Sequence, residues 1–146
     1  RLKVTPITDT YYNVAPAGGV NTSIKDMAQW MRAILGYRED IISKATLQEI
    51  YNPVVRTATR HRYFGDWGRL KRAYYAKGFR VLYYPNDTLI YHGGYVNGYR
   101  SEVAIDPRDN IAICIFTNSP NNLIDKNLIV EYNPKIAKGY YVIKNL

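Results

Sequence analysis

The sequence predicts an α+β domain in which an antiparallel β-sheet meander packs with helices. Three observations carry that expectation. Apolar residues recur at helical spacing from Ile24 to Leu35. From Gly78 onward the period changes to strand-like segments separated by turn residues. The 146 residues are 47% hydrophobic and 22% charged, enough to bury a real core and unlike a disordered chain.

Taken in order, residues 1–22 read as an extended lead-in with Pro6 and Pro16, closing on Ala17-Gly18-Gly19-Val20. Thr22 or Ser23 then caps a helix, and Asp26 complements its N-terminus. Ile24, Met27, Ala28, Met31, Ile34 and Leu35 form its apolar stripe, and Gly36 ends it. A shorter helix runs from about Ser43 to Tyr51, with Leu47 and Ile50 on one face and Pro53 beyond it. Residues 54–75 read as irregular, basic and aromatic.

Four strands follow, over 79–84, 88–92, 99–105 and 111–117. Pro85-Asn86-Asp87, Asn97-Gly98 and the 106–110 segment supply the turns between them. In the tail, Leu123, Ile124, Leu128, Ile129 and Val130 suggest a helix and Tyr140 to Ile143 a further strand. The expected organisation is therefore a helical and irregular part (1–75), an antiparallel sheet carrying a His-Gly-Gly strand (76–119) and a C-terminal segment (120–146). Together these make one incomplete domain, with no internal repeat.

The net charge of +8 favours anionic partners. Arg56, Arg60, Arg62, Arg69, Lys71 and Arg72 cluster locally and alternate with Tyr63, Phe64 and Trp67, a mixture that can contact phosphates and stack on bases. A solvated face is the simpler reading, because no nucleic-acid motif accompanies the charges. The cluster nevertheless defines a competing function class, a non-catalytic module for an anionic partner such as cell-wall polymer or nucleic acid. The single Cys114 excludes an internal disulfide and, in its apolar run, reads as an inert buried thiol. His61 and His92 are the only histidines and have no cysteine partner, so no metal-ligand spacing exists and no cofactor is expected. No apolar run approaches the ~20 residues of a membrane span. The chain opens on Arg1 without a signal peptide, which leads us to expect a processed or excised piece.

The stretch richest in chemistry is Ile90-Tyr91-His92-Gly93-Gly94-Tyr95-Val96-Asn97-Gly98-Tyr99-Arg100-Ser101. His92 is a side chain suited to moving protons, and glycines beside it allow a ligand to approach the backbone. On pattern alone a satisfied strand histidine is the favoured reading of His92, and a plain bulge or tight strand crossing accounts for Gly93 and Gly94. Ser101 lacks the elbow and positioned base of an independent nucleophile.

Three motifs in order resemble the serine β-lactamase and penicillin-binding family, which includes DD-peptidases and related esterases. They are Ala17-Gly18-Gly19-Val20 through Asp26-Met27-Ala28-Gln29-Trp30, Gly78-Phe79-Arg80-Val81, and His92-Gly93-Gly94 with the strands after it. The resemblance spans residues 17–119. It implies the C-terminal part of a fold in which an active site lies between a helical and an α/β domain.

The same resemblance implies that His92, Gly94 and Tyr95 are catalytic. His92 would be a wall group that orients a proton relay, and the residue after the motif glycine would offer its N–H to an oxyanion hole. Gly93, Asn97 and Arg100 would bind substrate along a strand edge able to pair with a peptide-like molecule. Gly93 departs from the threonine common at that position, and Arg100 is placed to compensate or to form a structural ion pair. Asn97-Gly98 also reads simply as a turn.

The family's Ser-x-x-Lys nucleophile motif is absent, since Ser23, Ser43, Ser101 and Ser119 are followed three residues on by Asp26, Thr46, Ala104 and Asn122. Tyr11-Tyr12-Asn13 spells the family's Tyr-x-Asn but lies too close to the Ala-Gly-Gly motif to be its equivalent. The expectation is a hydrolase part without turnover of its own. Its partners would be a small-molecule or peptide-like substrate and the missing N-terminal part of the fold. Self-association through exposed apolar surface and a periplasmic or extracellular location are also expected.

Overall fold

The computed structural model describes residues 8–59, 69–96 and 98–118. Ser23 caps α2 (Ile24–Ile34) as the sequence suggests: its Oγ accepts a hydrogen bond from the Asp26 backbone N–H at 3.2 Å. Leu35 and Gly36 close the helix, and the Tyr37 N–H returns to the Arg32 carbonyl at 3.0 Å. Ser43 repeats the device for α3 (Lys44–Tyr51), accepting from the Thr46 N–H at 3.2 Å. The Tyr51 hydroxyl then donates to the Ile34 carbonyl at 2.7 Å and ties the two helices together.

The sheet has six antiparallel strands in sequence order: β1 (Val55–Thr57), β2 (Arg72–Tyr75), β3 (Arg80–Tyr84), β4 (Asp87–Val96), β5 (Tyr99–Asp106) and β6 (Ile111–Thr117). The four expected strands are β3 to β6. Residues 54–75 were expected to be irregular, and the structure corrects this by placing β1 and β2 there, paired from Val55↔Tyr75 to Thr57↔Ala73. Both strands are too short and too charged to show a period. What holds β2 is its hairpin pairing with β3, from Tyr75↔Arg80 to Arg72↔Tyr83, and the complete burial of Ala73.

The extended lead-in is also corrected. Asp9–Val14 form a 3₁₀-helix, and Ala15–Gly18 form a single helical turn, α1, with Pro16 in its first positions. Proline is tolerated there because its missing N–H would have no intrahelical partner. The helix and strand expected in 120–146 lie outside the described residues, as do His61 and, of the basic and aromatic cluster, Arg60, Arg62, Tyr63, Phe64 and Trp67.

Alternation along the strands separates two apolar clusters. Val81, Ile90, Val103, Ile105 and Ala112 face Met31 and Ile34 of α2 and Leu47 of α3. On the reverse face, Ala73, Leu82, Tyr91 and Ala104 form a second cluster, none of them more than 3% exposed. The helix-side core gives out toward the C-terminal end of β4, where even-numbered residues continue onto the same face as His92, Gly94 and Val96.

Candidate active site

β4 changes its surroundings at His92. Up to Tyr91 it pairs with β3, where the last partner is Arg80. Beyond that point only β5 accompanies it, through Val96↔Tyr99. From His92 to Val96 the other edge of β4 therefore has no strand partner among the described residues. An unpaired edge presents backbone N–H and C=O groups to whatever lies beside it.

Beside this end of the sheet lies a cleft of about 690 Å³. Gly19, Val20 and Asn21 line it on one side, with Gly94, Val96 and Ser101 on the other. On both sides a Cβ would meet a close neighbour. A Cβ on Gly19 would sit 2.6 Å from the Ala15 Cα, and one on Gly94 would sit 2.6 Å from the Ser101 Oγ. The Asn21 amide donates to the Tyr12 hydroxyl at 3.3 Å, which fixes the wall opposite the sheet. The sequence carried a signal for Ser101 as a wall residue. Asn97-Gly98 is a two-residue turn signal, which would set Val96 opposite Tyr99 and hence Gly94 opposite Ser101, the register that β4 and β5 adopt. Tyr12 and Asn21 stood in motifs the sequence singled out, but neither was assigned to the site.

His92 is exposed and stands beside the cleft rather than in its lining. Its Nδ1 lies 2.6 Å from the Gly78 carbonyl oxygen, and its ring meets Phe79 edge-on with centroids 6.2 Å apart. Phe79 also stacks on Trp30 of α2 and receives the edge of Tyr51 of α3. The three motifs singled out in the sequence thus meet at one aromatic side chain.

Tyr95 and Gly93 project to the reverse face, and the Tyr95 ring is 62% exposed. Arg100 touches the cleft, while its Nε donates to Glu102 at 2.8 Å. Glu102 is 3% exposed and also accepts from the Tyr91 hydroxyl. Of the two readings of Arg100, the ion pair is therefore formed. Asn97 lies outside the described residues. Burial lifts the Cys114 thiol to about 12, as expected of an inert cysteine. Among the described residues no group of three or more His, Cys, Asp or Glu side chains is placed to hold a metal ion, and no helix is long and apolar enough to cross a membrane.

A second, shallower depression of about 660 Å³ lies near the β3–β4 turn, with Lys71, Arg72 and Arg108 in its lining. Arg72 rests over the Tyr83 ring, 5.1 Å from its centroid. Arg108 is held by Asp87, Asp109 and the Asn86 carbonyl.

Comparison with known proteins places this geometry. Residues 2–129 match the family model described as Beta-lactamase. A curated relative named Unguisins hydrolase ungD', from Aspergillus campestris (strain IBT 28561), is 26% identical over 106 residues, which cover 73% of this chain and 19% of that protein. The chain thus spans about a fifth of the length of that relative. No solved structure matches it.

Proposed function

The chain belongs to the β-lactamase family, and from that premise we propose that it forms one wall of the active site of a serine hydrolase acting on an amide or ester. The observation that carries this reading is the unpaired β4 edge from His92 to Val96, which borders the cleft. A peptide-like substrate lying along that edge would be held by backbone hydrogen bonds. The named activity of the matched relative, a hydrolase, supports the reaction class.

In this reading a serine oxygen attacks the substrate carbonyl, and the leaving amine or alcohol departs with a proton. Water then releases the acid from the acyl-serine. Gly94 keeps the wall open, and the Tyr95 N–H faces the oxygen on which charge develops. His92 acts through the ring nitrogen not committed to Gly78. Arg100 borders the substrate path. The serine itself comes from protein outside this chain, because no serine here begins a Ser-x-x-Lys.

Labelling with a fluorescent penicillin and a fluorophosphonate ester, followed by intact mass, tests this. No adduct is expected on this chain alone. A stoichiometric adduct is expected on a protein that joins it to a Ser-x-x-Lys region, and His92→Ala should slow its formation. An adduct on Ser23, Ser43, Ser101 or Ser119 would overturn the assignment.

The lining of the second depression by Lys71, Arg72 and Arg108 favours one other reading, a binding face for an anionic polymer. Retention on heparin that falls steeply with salt and is lost in Lys71→Ala/Arg72→Ala would support it.

A further inference from the structure

We propose that Ser101 is a ligand-binding residue of the cleft, whose hydroxyl is delivered from β5 through the side-chain gap at Gly94 to an oxygen acceptor of a peptide-like substrate. The inference rests on the reading of the cleft given above. Four observations carry it. Ser101 lies directly opposite Gly94 in the β4–β5 register. Its Oγ occupies the space beside Gly94, 2.6 Å from where a Cβ would stand. Ser101 lines the 690 Å³ cleft. Among the described residues its hydroxyl has no hydrogen-bond partner.

A hydroxyl that is half-buried and unpartnered on a cleft wall is a donor waiting for an acceptor. The acceptor it suits is a carbonyl or carboxylate oxygen. A group within hydrogen-bond reach of Ser101 Oγ would also lie against the Gly94 Cα, because no side chain separates the two. The β4 backbone can then fix the ligand's main chain while Ser101 selects the oxygen that lies across the strand. β4 supplies no hydroxyl of its own here, since Gly93, Gly94, Tyr95 and Val96 place none in the cleft.

The test is titration of the full chain with N-acetyl-alanyl-alanine and with its C-terminal amide, read by isothermal calorimetry and amide chemical shifts. Ser101→Ala should weaken binding roughly tenfold, the loss of about one good hydrogen bond. Gly94→Ala pushes the Ser101 hydroxyl out of its rotamer and should weaken binding by a similar factor. The double variant should be no worse than either alone, because both remove one interaction. A larger loss with the acid than with the amide assigns the acceptor to the carboxylate, and equal losses assign it to a carbonyl. Both results support Ser101. Binding unchanged in Ser101→Ala but abolished by the cleft-filling Val96→Trp would overturn the role of Ser101 and leave the cleft as the site. Binding that ignores Val96→Trp as well, or no binding of either peptide, would overturn both.

Discussion

The Gly78 carbonyl oxygen lies 2.6 Å from Nδ1 of His92. A carbonyl only accepts, so in the neutral ring Nδ1 carries the proton and Nε2 the lone pair. The backbone just before β3 thereby sets the tautomer of an imidazole on β4. Nitrogen-15 spectra of the neutral ring should show a protonated Nδ1 and a pyridine-like Nε2. The opposite pattern would remove the argument that His92 presents a base.

Phe79 links that imidazole to the helices. It is 8% exposed and contacts Trp30, Tyr51 and His92. Phe79→Ala should cost about 3–5 kcal/mol, the range for emptying a large aromatic site, and should shift Trp30 fluorescence. Phe79→Leu keeps most of the volume and should lose distinctly less. Urea denaturation of the two variants checks this, and equal small losses would mean that the cluster is not what joins helix to sheet.

Much of this arrangement was legible in the sequence because it is local. Ser23 and Ser43 announce their helices through cap chemistry that acts within three residues. The turn signals at Pro85-Asn86 and Asn97-Gly98 foretell the β3 to β5 meander. β1 was not legible, since its support comes from pairing with β2 across a long stretch of sequence (Val55↔Tyr75), and β2 was not because it is four residues long and, like β1, carries an arginine (Arg72, Arg56) that masks any apolar period. The helical turn at Ala15–Gly18 was hidden by Pro16, which reads as extended chain unless it happens to begin a helix. At the site, the identities of His92, Gly94 and Arg100 were visible. The commitment of Arg100 to Glu102 was visible only as one of two readings, because residues two apart on a strand share a face but the burial that isolates this pair comes from the assembled sheet.

That commitment has an energetic consequence. Glu102 has 4% of its side chain exposed and Arg100 has 18%, so each charge has left most of its hydration. Arg100→Met would leave the Glu102 carboxylate buried with only the Tyr91 hydroxyl and should cost about 3–5 kcal/mol. Adding Glu102→Leu removes the stranded charge and should restore much of that loss. A double variant no more stable than Arg100→Met would show that the pair is not coupled.

Cys114 tests the burial of the sheet interior. With its thiol lifted to about 12, on the order of one molecule in 10⁴ is ionised at pH 8, against roughly a quarter for a free cysteine. Alkylation by iodoacetamide should therefore be roughly a thousandfold slower in the folded chain than in urea. The sign of the linked stability follows. Above about pH 8.5 the unfolded chain releases a proton that the folded chain keeps, so stability falls as pH rises beyond that point. Cys114→Ala should flatten that alkaline decline.

Two glycines with the same nominal clearance should behave differently. A Cβ at Gly19 meets Ala15 Cα at 2.6 Å and the Ala15 carbonyl oxygen at 2.9 Å, both backbone atoms of the turn that Gly19 closes through its own N–H. A Cβ at Gly94 meets only the Ser101 hydroxyl at 2.6 Å. A serine can rotate one bond to yield, whereas the backbone at Ala15 can yield only if α1 opens. Gly19→Ala should therefore cost about 1–3 kcal/mol, the usual range for overpacking, and should displace the wall bearing Val20 and Asn21. Gly94→Ala should cost less and leave that wall in place. Thermal unfolding, with amide shifts of Asn21 as the local reporter, separates the two, and a larger destabilisation at Gly94 would mean that Ser101 is locked in its rotamer.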